Sequence, residues 1–151
     1  MIQWNSQTNS ANPDVNVGSE KEEPLRGVRA IVAEDESITL VLLNRILRLA
    51  GIDVIGIVGD GQSAVQLAVH ARPEMVILDV KMPFLSGLDA ARHIRSHYDP
   101  CIIFVTAFTE TAMQEAARGL GASGVIGKPV TNDTLVPQLE AAWLRYKENR
   151  T

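Results

Sequence analysis

The sequence predicts a doubly wound α/β domain, in which one parallel sheet of five strands carries helices on both faces. Three observations lead to it. Short apolar runs alternate with longer amphipathic stretches five times over, the pattern of strand–helix units. The clearest run, Met75-Val76-Ile77-Leu78, is apolar at every position, as a strand buried on both faces must be. Several runs end in an acidic, hydroxyl or basic residue, so polar chemistry collects along the edge beyond the carboxyl ends of the strands, where open α/β sheets bind their ligands.

Taken in order, residues 1–26 are rich in Gln, Asn, Ser, Asp and Glu without a period. Such a segment buries too little surface to offset its ordering entropy. It is expected to be a disordered extension, Trp4 included, with the folded domain over 27–148. Val28 to Ala33 reads as the first strand and ends in Glu34-Asp35-Glu36. Ser37 to Ala50 is the first helix, closed by Gly51. Asp53 to Val58 is the second strand, and Asp60 caps a helix from Gln62 to about Ala71. The central strand then ends at Asp79, and Pro83 stops its ladder. Ser86 caps a helix from Gly87 to about Ser96. Cys101 to Thr106 is the fourth strand, and Thr109 is expected to cap a helix from Glu110 to Leu120. Gly124 to Gly127 is a short fifth strand ended by Lys128-Pro129. Thr131 opens the last helix, to about Lys147, whose first turns Pro137 should loosen by removing a backbone donor. Right-handed crossovers put helices on both faces.

Composition narrows the function. A chain of 151 residues supports one domain, and a formal net charge of -4 argues against a general nucleic-acid footprint. The single cysteine, Cys101, lies in an apolar run and reads as a core thiol. No apolar run approaches the ~20 residues that cross a bilayer, and no signal-peptide core is visible, so the cytosol and no membrane insertion are expected. Little sequence follows the last helix, so no further domain is expected after it. A stand-alone domain, or one domain of something longer, is therefore expected.

The site follows from the strand ends. The first strand delivers Glu34 and Asp35, the third Asp79, the fourth Thr106 and the fifth Lys128. With the first strand central, the first and third are neighbours and their carboxylates repel unless a cation joins them. Hard oxygen ligands at an open rim suit Mg²⁺. Asp79 can then act as a nucleophile on phosphorus, with Mg²⁺ and Lys128 neutralising charge on the transferring oxygens. His93 and His97, four apart on the third helix, lack a third ligand and read as solvated.

These pieces, Glu34-Asp35, Asp79 before Met82-Pro83 and Gly87, Thr106-Ala107 and Lys128-Pro129, resemble the response-regulator receiver domains of two-component signalling, from about Val28 to Ala142. The resemblance implies the flavodoxin-like strand order 2-1-3-4-5 and makes Asp79 the phosphoacceptor. It implies Mg²⁺ bound directly by Asp35 and Asp79, through water by Glu34, and by the backbone carbonyl of Lys81. Thr106 and Lys128 would each contact a phosphoryl oxygen, and the bond before Pro129 would be cis. The implied partners are a histidine kinase or phosphotransfer domain and a downstream effector, with homodimerisation left open. The implied role is signalling, with phosphoryl acceptance and autodephosphorylation but no separate enzyme activity.

Three departures bear on rate and output. Lys81 and Phe108 stand where the family modulates water attack, so an atypical dephosphorylation rate is expected. Val125 replaces the usual switch aromatic, whose part could pass to Phe104 or Phe108. A phosphatase of the haloacid dehalogenase type would need a second acid where Lys81 stands. A flavin binder would need a phosphate loop where three acids stand. A pseudo-receiver would not need Asp35, Asp79, Thr106 and Lys128 intact. On the first helix, Thr39, Leu42, Leu43, Ile46, Leu47 and Ala50 form one apolar stripe, and Ile38, Val41 and Leu49 a second beside Arg45 and Arg48. One must fill the core, leaving the other for a partner. Trp143 and Tyr146, three apart on the last helix, suit either core packing or a partner.

Overall fold

A computed structural model describes residues 23–150. Its elements are β1 (Arg29–Ala33), α1 (Ser37–Leu49), β2 (Asp53–Val58), α2 (Gly61–Ala71), β3 (Met75–Leu78), α3 (Gly87–Arg95), β4 (Cys101–Thr106), α4 (Thr111–Gly119), β5 (Gly124–Gly127) and α5 (Asn132–Asn149). The five strands are parallel in the order β2-β1-β3-β4-β5, as the family resemblance implied.

Strand periodicity divides the core into two layers. Ala30, Val32, Met75, Ile77, Cys101 and Ile103 face α1 and α5, where Leu43, Ile46, Leu47, Leu135 and Leu139 cover them. Their strand neighbours Ile31, Ala33, Val76, Leu78, Ile102 and Phe104 point the other way, onto α2, α3 and α4. This is the alternation of a pleated strand with both faces covered. On the second face the helices bring small residues, Ala64, Ala68, Ala90 and Ala91, all fully buried, so α2 and α3 sit close to the sheet and to each other.

The local signals behave mostly as their chemistry requires. Asp60 accepts from Ser63 N at 2.8 Å, and Ser86 from Asp89 N at 3.1 Å. Thr131 and Thr134 form a reciprocal capping box at the start of α5, and α5 runs unbroken through Pro137. The expected cap at Thr109 is displaced: the N-cap of α4 is Glu110, which makes no side-chain cap bond. β1 begins at Arg29 rather than Val28.

Residues 1–22 of the expected N-terminal extension, Trp4 among them, lie outside the described residues. Residues 23–26, placed with that extension from composition, form a turn, and Leu25 is buried in the α1–α5 layer. Gly27 takes a left-handed φ of 79° there and donates its N–H to Gly51 O, a conformation that costs glycine little. Cys101 is a buried free thiol. Trp143 packs in the core and stacks on Tyr146 at 5.4 Å between ring centroids, and the Tyr146 hydroxyl donates to Asp99 O at 2.6 Å. No helix among the described residues is long and apolar enough to cross a membrane.

Candidate functional site

Parallel pairing in register brings the strand ends together. Ala33 is level with Leu78, and Asp79 N bonds Ala33 O at 2.9 Å. Glu34 and Asp79, one residue further on, therefore leave the sheet side by side. On the other flank Thr106 is level with Gly127, and Lys128 N bonds Thr106 O at 2.9 Å. The peptide bond between Lys128 and Pro129 is cis.

The side chains converge accordingly. One carboxylate oxygen from each of Glu34, Asp35 and Asp79 lies within 4.8 Å of the others. Lys128 Nζ stands against the same group, donating to Glu36 Oε1 at 2.8 Å and to Asp79 Oδ2 at 3.1 Å. It also lies 2.9 Å from Glu34 Oε1. That last approach falls outside hydrogen-bond geometry, so Glu34 Oε1, fully buried, accepts no hydrogen bond. Glu34 Oε2 accepts from Glu36 N at 3.0 Å.

Electrostatics follow from burial. Burial raises the Glu34 carboxyl above the usual carboxylate range, Asp79 adding to it, while Lys128 and the Glu36 amide pull it down. Glu36, which is solvent-facing, is lowered by Lys128. Burial works against the Lys128 ammonium, but Glu36, Glu34 and Asp79 together outweigh it and raise its pKa.

A buried carboxylate oxygen whose close partner is an ammonium outside hydrogen-bond geometry is incompletely satisfied. Three hard oxygen donors around one point, one of them in that condition, suit a divalent cation of the Mg²⁺ type. Asp35 is exposed and Asp79 buried, so such a cation would sit at the rim with room for water.

Beside this cluster a cleft of about 260 Å³ is lined by Asp35, Glu36, Asp79, Lys81, Ala107, Phe108 and Lys128. Thr106 is buried, and its Oγ1 accepts from Phe108 N at 3.1 Å. Of the residues anticipated from the sequence, Glu34, Asp35, Asp79 and Lys128 meet, Lys81 borders the cleft, and Thr106 lies beneath the loop carrying Phe108. His93 and His97 are exposed on and just after α3 and join no metal-ligand cluster among the described residues. Val125 is half-buried against the layer that contains Phe104.

Glu36 is the participant that sequence reasoning passed over. Nothing local marks it as a partner for a lysine 92 positions away. A run of three acids at a strand end was the available signal.

A five-stranded parallel sheet with an acidic cluster and a lysine at its carboxyl edge defines the class of receiver domains, and comparison agrees. The response regulator receiver domain family matches residues 30–140, and this chain belongs to it, as the receiver domain of a two-component response regulator. It is 41% identical over 120 residues to the transcriptional regulatory protein PdtaR of Mycobacterium tuberculosis, a match covering 80% of this chain and 58% of PdtaR. The chain thus spans little more than half the length of that relative. The response regulator domain of Thermotoga maritima CheB superposes with a TM-score of 0.65 at 28% identity, covering 83% of this chain and 96% of that one. The signal receiver domain of a modulated diguanylate cyclase from Desulfovibrio desulfuricans superposes with a TM-score of 0.71 at 27% identity, covering 80% and 97%.

Proposed function

We propose that the domain accepts a phosphoryl group on Asp79 from a phosphohistidine of a histidine kinase or phosphotransfer domain. The observation that carries this reading is the convergence of the Glu34, Asp35 and Asp79 oxygens at one point, with the Lys128 ammonium already on Asp79. In the transfer an Asp79 carboxylate oxygen attacks phosphorus. The phosphorus–nitrogen bond of the donor breaks as the new phosphorus–oxygen bond forms, and the released imidazole keeps the electron pair and takes a proton from water. Glu34, Asp35, Asp79 and the Lys81 carbonyl would hold Mg²⁺, which supplies charge neutralisation on the transferring oxygens. Lys128 would hold one phosphoryl oxygen. The Thr106 hydroxyl, an acceptor toward Phe108 N, keeps its proton to donate to another.

Phosphorylation adds roughly -1.5 to -2 charges. At an effective dielectric of 20, a unit pair at 4 Å is worth about 4 kcal/mol before desolvation, close to the ~5.5 kcal/mol that inverts a 1:99 equilibrium. Drawing Lys128 and Thr106 toward Asp79 would bias the loop that runs through Phe108 into α4, which an effector reads. The kinase would dock on α1, where Ile38, Val41 and Leu49 are 86%, 69% and 73% exposed, an apolar row that starts two residues after Glu36 of the cleft and is of the kind that marks interaction surfaces. The cytosol is the setting this reading requires.

The test is incubation of the protein with acetyl phosphate and Mg²⁺, followed by intact-mass measurement. One phosphoryl group should be gained, and none in EDTA or in Asp79→Asn. Equal labelling of Asp79→Asn would place the acceptor elsewhere.

A further inference from the structure

Glu36 stands outside the three carboxylates that gather round one point, yet it makes the shortest ion pair to Lys128, 2.8 Å. The ammonium's other two partners, Glu34 Oε1 at 2.9 Å and Asp79 Oδ2 at 3.1 Å, both belong to residues of that cluster. An ammonium and a divalent cation drawn to the same carboxylates repel each other at such range. One of the two positive groups must yield, and Glu36 is the partner of Lys128 that the cluster does not use.

Glu36 is built for that part. It is the N-cap of α1 in an extended conformation, φ -89°. Its N–H is tied to Glu34 Oε2 at 3.0 Å, and its Oε1 accepts from Thr39 Oγ1 at 3.3 Å. Its side chain is 62% exposed against 1% for Glu34 and 6% for Asp79. Of the three partners it alone connects the nearly buried ammonium to the solvent-facing rim of the cleft.

We infer that Glu36 is a positioning residue that keeps the Lys128 ammonium at the cleft rim when Glu34 and Asp79 are taken by a divalent cation. The ammonium then stays within reach of Asp79 for an arriving phosphoryl oxygen instead of opposing the cation. This rests on the phosphoacceptor reading above and adds a residue that acts on it through Lys128. It gives the acid following Glu34-Asp35 a task distinct from metal ligation.

The test is a double-mutant cycle read as Mg²⁺ affinity by calorimetry on the full chain: native, Glu36→Gln, Lys128→Met and the double variant. In the native background Glu36→Gln should raise the Mg²⁺ Kd about three- to five-fold, the equilibrium equivalent of one part-exposed ion pair. In the Lys128→Met background the same change should stay within about two-fold, the range of uncoupled sites. Equal losses in both backgrounds would mean that Glu36 acts on the cation by its own charge, and would overturn the inference. So would no loss in the native background. Failure of the native chain to bind Mg²⁺ is a separate result, which removes the phosphoacceptor reading and this inference with it.

Discussion

A Cβ placed on Gly87 would lie 2.0 Å from the carbonyl oxygen of Asp79. The loop that leaves the candidate phosphoacceptor returns to touch its backbone, sealed by Gly87 N donating to Val80 O at 2.8 Å. The loop between them turns tightly: Phe84 has a φ of 69°, and Leu85 N bonds Pro83 O across it at 2.7 Å, the geometry of a γ-turn. The start of α3 and the end of β3 therefore form one rigid unit, and Asp79 is aimed by it.

Gly87→Ala should consequently do two things together. The added methyl meets backbone and no flexible side chain gives way, so stability should fall by about 2–3 kcal/mol. The end of β3 should shift, and the Mg²⁺ affinity of the folded fraction should fall with it. Urea unfolding and a Mg²⁺ titration below the transition check both. A variant of unchanged stability would show that the loop can relax away.

Phe108→Ala should shorten the lifetime of phospho-Asp79 several-fold. Phe108 is 42% exposed and lines the cleft with Lys81 and Asp79, so on the phosphoacceptor reading its ring would limit the approach of attacking water. The loss of label from acetyl-phosphate-treated protein, followed by intact mass after removal of the donor, measures it. An unchanged half-life would leave the ring without that role.

Stability should fall above pH 9 through one buried thiol. Burial pushes Cys101 from an ordinary 9.0 up to about 11. Between those values the unfolded chain has released a proton that the folded chain still holds, so the folded state loses ground as pH rises. The stability is fully present below about 9, and the slope approaches about 1.4 kcal/mol per pH unit. Tyr98, raised by burial as well, adds its own loss above its ordinary value of 10.0. Urea titrations at pH 8 to about 9.5 should therefore show a decline that Cys101→Ala, though less stable at every pH, largely lacks.

The elements were legible because each carries its cause locally. Asp60, Ser86 and Thr131 precede helices and cap them, and β2, β3, β4 and β5 fall where the apolar runs placed them. Thr109 was the exception. Its hydroxyl caps nothing, because the loop from Thr106, held by Phe108 N, starts the helix at Thr111 and leaves Glu110 at the cap position without a side-chain bond. The second apolar row of α1 was visible as a row, but that it is the exposed one follows from packing: Leu43, Ile46 and Leu47 face the sheet, turning Ile38, Val41 and Leu49 outward. Leu25 was hidden in a polar context, and only the turn at Gly27 carries it into the core.

By itself the sequence determined where strands end and which residue types stand there, because alternation of apolar runs, breakers and caps is a short-range property of the chain. From that alone Asp79, Asp35, Glu34, Thr106 and Lys128 could be set along one sheet edge. Tertiary structure decided which of three successive acids meets which cation. Glu34 turns inward and is buried, Asp35 opens to the rim, and Glu36 reaches across to Lys128. Those directions depend on the register of β1 with β3 and of β4 with β5, which brings partners 49 and 92 residues apart within hydrogen-bond distance, and no local pattern encodes a contact made over that separation.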